Sequence, residues 1–325
     1  MNSTKDAELD FQAATERIKG TVKHTPLVFN AALSAKYNAK IYLKREDLQV
    51  VRSYKLRGAF NMMSTLTADE RQRGIVCASA GNHAQGVAYS CKKLDIRGVI
   101  FMPEITPKQK VKQTEMFGGD HIQIVLIGDT FDDCMKEALK FTAEREMTFI
   151  PPFDNLKIIE GQGTVGVEIF QDLPEVDVVV LPIGGGGLAS GVGSYLKNIK
   201  PSVQLIGVEP EGAPSMKHAF NQGTPVTLDY IDRFVDGAAV KRVGALNFQY
   251  CQELLDQMLL IPEGKICTTI LKLYNEDAIV VEPAGALAIA SLDQITASIE
   301  NKNVVCIISG GNNDIERMQE IKEKS

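Results

Sequence analysis

The sequence is short of several things that would point to familiar chemistries. Lysine and arginine number 35 against 41 aspartates and glutamates, a net charge of -6. With no basic surplus to neutralise phosphates, a nucleic-acid surface is excluded. Only four histidines are present, His24, His83, His121 and His218, and none stands in an H-E-x-x-H spacing, which argues against a zinc enzyme. The six cysteines, Cys77, Cys91, Cys134, Cys251, Cys267 and Cys306, form no C-x-x-C pair. Several lie in apolar runs, so they read as buried, reduced thiols. No apolar stretch approaches the roughly 20 residues of a membrane span. The polar, acidic start MNSTKDAELDFQ also lacks the basic-then-apolar pattern of a signal peptide. The expectation is a cytoplasmic protein, with no nucleic-acid or membrane partner, that acts on a small molecule.

What is present is an ordinary globular composition: 325 residues, 44% hydrophobic and 23% charged, enough for two lobes. From Gly74 onward short apolar runs alternate with longer amphipathic ones. Strands are expected at 75–79, 98–102, 122–127 and 147–150, with helices at 84–94, 107–117 and 129–144 between them. This spacing implies parallel pairing, because a parallel crossover needs a connection of helix length. The pattern resumes after Pro151-Pro152 with a helix at 160–173, a strand at 176–183, a helix at 188–198 and a strand at 203–209. A helix at 284–295 and a strand at 303–308 close it, and the tail 315–325 reads as a solvated, charge-alternating end. The run Val176-Asp177-Val178-Val179-Val180-Leu181 is apolar on both faces, as a strand buried between helix layers is. The fold class is therefore α/β, with two doubly wound lobes: a large one from 1–73 and 150–325, and a small one from 74–149.

Gly184, Gly185, Gly186 and Gly187 lie directly between that strand and a helix. Glycine amides at a helix N-terminus form a site for a phosphate or another anion. Two readings of the phosphate stand at this point. Gly184-x-Gly186-x-x-Ala189, with Glu209 ending the next strand, satisfies a loose dinucleotide fingerprint and suggests an NAD-dependent dehydrogenase. A single-phosphate cofactor such as pyridoxal 5′-phosphate is the other, and it requires a lysine for a Schiff base and a partner for the ring nitrogen. Lys55 precedes a helix-like run at 56–66, where the dipole and burial would both depress its pKa. Ser79-Ala80-Gly81-Asn82-His83 stands at a strand-to-helix junction, where open α/β sheets place their ligands. Ser309-Gly310-Gly311-Asn312 follows the last apolar strand.

In this order, Ser53-Tyr54-Lys55-Leu56-Arg57-Gly58-Ala59, Ser79-Ala80-Gly81-Asn82-His83, Gly184 to Leu188 and Ser309 to Asn312 resemble the fold-type II (tryptophan synthase β-like) pyridoxal phosphate enzymes. Within them the chain is most similar to the serine/threonine dehydratases. Supporting stretches are His24-Thr25-Pro26-Leu27, Lys44-Arg45-Glu46-Asp47 and Glu282-Pro283-Ala284-Gly285-Ala286, so the resemblance spans nearly the whole chain. It implies that Lys55 carries the Schiff base and acts as base, that Asn82 binds the 3′-oxygen of the ring, that Gly184, Gly185, Gly186, Gly187 and Leu188 hold the phosphate, and that Ser309 meets the ring nitrogen. Ser79, Gly81, Asn82 and His83 would grip the substrate carboxylate. The implied reaction converts L-threonine to 2-oxobutanoate and ammonia, with L-serine as a side substrate; serine dehydratase and serine racemase are the neighbouring activities. Related racemases place a second serine where this chain has Ala80, which favours a lyase. They also bind a divalent cation through a glutamate, a backbone carbonyl and an aspartate. Here Glu209 and Ala213 remain as candidates, but Ser215 replaces the aspartate, so no metal is expected. The resemblance further implies a homodimer or homotetramer, and an enzyme of the isoleucine-pathway type, either short or the catalytic part of a longer chain.

Overall fold

The computed structural model describes residues 9–325. Ten strands follow in chain order: β1 (Leu27–Phe29), β2 (Lys40–Arg45), β3 (Ile75–Ala78), β4 (Gly98–Met102), β5 (Ile122–Leu126), β6 (Thr148–Phe149), β7 (Val178–Pro182), β8 (Gln204–Pro210), β9 (Gln257–Ile261) and β10 (Asn303–Ile308). They form a six-stranded sheet, in the order β1-β2-β10-β7-β8-β9, and a four-stranded sheet, in the order β5-β4-β3-β6. All pairs are parallel except β1 with β2. The smaller sheet draws every strand from between residues 75 and 149.

The apolar run read as a doubly covered strand is β7, buried at all five positions. Because side chains alternate across a strand, Val178 and Val180 face one helix layer with Val304 and Cys306 of β10, while Val179 and Leu181 face the other with Val305 and Ile307.

Three helices beside these sheets approach one another backbone to backbone. The helix Leu156–Asp172 lies between Lys55–Ser64 and Gly187–Ile199. A Cβ at Gly161 would come within 2.5 Å of the Arg57 carbonyl oxygen, and one at Gly191 within 2.3 Å of the Ile159 carbonyl oxygen. Glycine inside a helix costs about 1 kcal/mol of local stability. Here it brings the Lys55 helix and the glycine-loop helix against the same central helix.

Some boundaries differ from expectation. The helix expected at 284–295 ends at Ala290 and gives way to a 3-10 turn, Leu292–Gln294, and the helix expected from 160 begins at Leu156, where the Asn155 side chain caps it. The tail is not a solvated end. It folds as a 3-10 turn and the helix Met318–Lys324, with Ile321 fully buried in the core of the large sheet. No helix of the described residues is long and apolar enough to cross a membrane.

Candidate active site

Three of the motifs stand just beyond the carboxyl ends of parallel strands: the Ser79 loop after β3, the glycine loop after β7 and Ser309 after β10. That end of an α/β sheet is where the loops converge on ligands. Lys55 is the first residue of its helix and no side chain caps that helix. Its backbone is tied to the end of β10: Tyr54 N donates to Ser309 O at 3.2 Å, and Ser53 bridges Gly310. Its Nζ donates to Pro152 O at 2.8 Å and lies 5.9 Å from the centroid of the Phe153 ring. Burial lowers its pKa to about 8, against a smaller raising effect from Glu282. Near neutral pH a sizeable fraction of such an amine is unprotonated and nucleophilic.

Phe153 is also what links Lys55 to the glycine loop. Its carbonyl oxygen accepts from Asn247 Nδ2 at 3.1 Å, and Asp154 beside it accepts from three backbone amides at the start of the helix Ala245–Leu254. So fixed, the Phe153 ring lies where a Cβ on Gly185 would be, at 2.2 Å. Gly186 has a φ of +95°. Protein packing and backbone conformation thus account for Gly185 and Gly186 without a ligand. The anion reading rests instead on the helix Gly187–Ile199 itself, whose N-terminus has no side-chain cap and packs at Gly187 against Phe153, the residue whose ring lies near Lys55 Nζ.

Asn82 opens the helix Asn82–Leu94. Its Oδ1 accepts from Asn312 Nδ2 at 2.7 Å, which joins the asparagine loop to the loop after Ser309. Ser79 Oγ accepts from Gly81 N at 3.2 Å, and Gly81 faces open space. His83 is different. Its ring is buried, with Nε2 2.9 Å from Ile150 O, and burial, with the nearby Lys55 charge, lowers its pKa to about 3. The imidazole is neutral and committed to the protein interior, so only the backbone of His83 remains for a ligand. Ser309 is 3% exposed beside the Lys55 segment.

A model of pyridoxal-phosphate dependent enzymes matches residues 18–310. The chain belongs to that family, in its threonine dehydratase branch. It is 56% identical to the biosynthetic L-threonine dehydratase IlvA of Halalkalibacterium halodurans over 317 residues, 97% of this chain and 76% of that protein. Among solved structures, the processed threonine deaminase isoform 2 of Solanum lycopersicum superposes with a TM-score of 0.91 at 40% identity, covering 97% of this chain and 93% of that one. Maize serine racemase superposes at 0.90 with 30% identity, covering 98% and 97%. The residues fit the family's cofactor: an uncapped helix N-terminus for the phosphate, a lysine of lowered pKa near it, and a buried serine whose carbonyl oxygen accepts from Tyr54 N, next to the lysine.

The fold also gives roles to residues that motif reading of this dehydratase-like chain left without one. Arg57, two residues from Lys55, is fully buried and holds two carboxylates: Glu46 at 2.8 Å through both Nε and Nη2, and Glu168 at 2.7 and 2.8 Å. Lys44 Nζ, also fully buried, donates to Glu168 Oε2 and Thr25 O, each at 2.6 Å. Two cations and two anions therefore balance, and the stretches containing Thr25, Lys44, Glu46 and Arg57 meet in one network beneath Lys55. Glu168 carries no motif, and only the fold brings it there.

Glu209 has a structural role of its own. Fully buried, its two oxygens accept from Met216 N at 2.7 Å and Lys217 N at 2.9 Å, which caps the helix Ser215–Gln222. Burial pushes its pKa up to about 8 against those two amides. Ser215 Oγ donates to Val240 O. The carboxyl thus serves as a helix cap, and the dehydrogenase reading is removed by the match to the pyridoxal-phosphate dependent enzymes. Among the described residues no group of three His, Cys, Asp or Glu side chains converges.

Proposed function

We propose that this chain is a threonine ammonia-lyase, converting L-threonine to 2-oxobutanoate and ammonia as the first step towards isoleucine, with side activity on L-serine. The observation that carries the reading is Lys55, an amine of lowered pKa held through Pro152 and Phe153 against an uncapped helix N-terminus. In this reading Lys55 would hold pyridoxal 5′-phosphate covalently, Gly184 to Leu188 its phosphate, Ser309 its ring nitrogen and Asn82 its ring oxygen. When bound, the cofactor supplies an electron sink for bonds at the substrate α-carbon. Lys55 removes the α-proton, the β-hydroxyl leaves as water with a proton taken from solvent at the site, and Lys55 gives its proton up again before the next cycle. Ser309, a neutral hydroxyl, does not hold a proton on the ring as a carboxylate would, so prompt loss of the β-hydroxyl is favoured over a long-lived carbanion. Ser79, Gly81, Asn82 and the backbone of His83 orient the substrate carboxylate. Ala80 offers only a methyl group, so nothing at that position returns a proton to the opposite face, and elimination is favoured over racemisation.

The site lies between a large lobe of residues 1–73 and 150–325 and a small lobe of 74–149. Residues 1–8 fall outside the described part. Six buried, unpaired cysteines support a cytoplasmic setting. Assembly as a homodimer or homotetramer belongs to the same reading, with Val28 and Phe29 of edge strand β1 exposed. The test is turnover of L-threonine and L-serine by the purified protein, followed as ketoacid. The reading expects 2-oxobutanoate as the faster product and no D-serine; ketoacid from serine alone would overturn it.

A further inference from the structure

Glu282 precedes the helix Pro283–Ala290 and is 4% exposed. Its Oε1 accepts from Asn82 Nδ2 at 2.7 Å, across 200 residues of sequence. Asn82 is held on its other side by Asn312, whose amide also donates to Gln85 Oε1 and Val51 O, both at 2.9 Å. Two glycines make room for the carboxyl: a Cβ at Gly310 would meet Oε1 at 2.6 Å, and one at Gly237 at 3.0 Å. The fold therefore encloses an acid on the large-sheet side, aimed at the first residue of the asparagine helix on the small-sheet side.

The groups facing this acid come from every neighbouring segment. Asn82 and the Asn312 backbone donate to it, and Lys110, from the helix Lys108–Gly118, attracts it. Asp236 repels it, and Asp236 is itself paired with Lys110. Burial first, then Asp236, pushes the Glu282 pKa up to about 7. The carboxyl packs against Gly310, which pairs with Ser53 two residues before Lys55, and from there its charge raises the pKa of both Lys55 and Tyr54.

We propose that Glu282 is a positioning residue for the reaction: it ties the two lobes together by holding Asn82, and it is the negative counter-charge of Lys55. This rests on Lys55 being the reactive amine. An ionised Glu282 raises the proton affinity of Lys55, partly offsetting the effect of burial, and a neutral Glu282 lowers it. Their titrations are therefore coupled.

Three full-length proteins test this: wild type, Glu282→Gln and Glu282→Ala. Each is freed of cofactor, its melting transition is recorded, and Lys55 is labelled with trace acetic anhydride across the pH range, with its peptide quantified by mass spectrometry. Glutamine removes the charge but keeps an oxygen for Asn82. Its Lys55 labelling midpoint is expected to fall by about one pH unit below wild type. In the reconstituted enzyme its KM for threonine stays within about twofold, since one hydrogen bond of ordinary strength is retained. Alanine removes both roles, and its KM rises by about tenfold, the loss of one charge-assisted hydrogen bond. An unmoved midpoint in Glu282→Gln overturns the counter-charge, and an unmoved KM in Glu282→Ala overturns the tie. If Glu282→Ala does not fold, Glu282→Asp replaces it, because the shorter chain keeps the charge and loses the reach to Asn82. Labelling needs neither cofactor nor turnover. A wild type without threonine turnover would refute the proposed reaction while the coupling of Lys55 to Glu282 is still measured.

Discussion

At the scale of single residues, burial decides which of the polar side chains are chemically active. Lys55 and His83 are close enough that the lysine's charge depresses the imidazole, yet the consequences differ. Desolvation lowers both, because it penalises the cationic form of each. For Lys55 the result falls near pH 8, where the free amine is accessible. The rate at which cofactor-free protein captures an aldehyde should therefore rise with pH, reach half its plateau near pH 8 and flatten above; a midpoint near 10.5, the value of an ordinary lysine, would contradict the site. For His83 the result is a ring that stays neutral at every pH above about 4. Its NMR resonances are expected not to move between pH 5 and 8, and a midpoint near 6.5 would show that the ring faces solvent or substrate instead. The sequence offered His83 as one of four carboxylate-gripping residues, since a motif shows a side chain's identity but not the direction in which the fold turns it. Glu282 carries no role of its own in the motif Glu282-Pro283-Ala284-Gly285-Ala286, for the converse reason. Its partner Asn82 lies 200 residues away, and no local pattern connects them.

At the scale of elements, the strongest sequence signals were those with a period. The fully apolar β7 and the alternation of strands and helices from 74 onward are legible because burial on both faces and crossover length leave a trace in composition. The close approach of three helices through Gly161 and Gly191, and the charge network under the Lys55 helix, leave no such trace. Arg57 and Glu168 are 111 residues apart and each looks like any charged residue in a helix. The network predicts a large effect: Arg57→Ala leaves Glu46 and Glu168 buried without their guanidinium and should cost about 3 to 5 kcal/mol, measured by urea denaturation. A loss below about 1 kcal/mol would mean that the carboxylates reach water. The terminal helix makes the opposite lesson concrete. Two isoleucines in a charged tail were too little to overturn a solvated reading, yet Ile321 is fully buried while Ile315 is exposed. Ile321→Ala is expected to cost about 2 to 4 kcal/mol, whereas a solvated tail would show no change in the unfolding midpoint.

At the scale of the whole molecule, the site is a product of topology. Three strands whose ends lie up to 230 residues apart (308 − 78) finish at the same side of their sheets; Asn312 to Asn82 joins two of their loops, and Tyr54 to Ser309 and Lys55 to Pro152 tie the Lys55 segment in. The order of the motifs along the chain was readable; the stitching was not, because it depends on how two sheets face each other. In the proposed reading this convergence turns Lys55 into the residue that carries the cofactor. The most direct measurement is borohydride reduction of the protein loaded with pyridoxal 5′-phosphate, followed by peptide mapping. The structure predicts one stable pyridoxyl label per chain, on Lys55, with loss of the label and of ketoacid formation in Lys55→Ala. A label on any other lysine, or ketoacid formation that survives in Lys55→Ala, would contradict it.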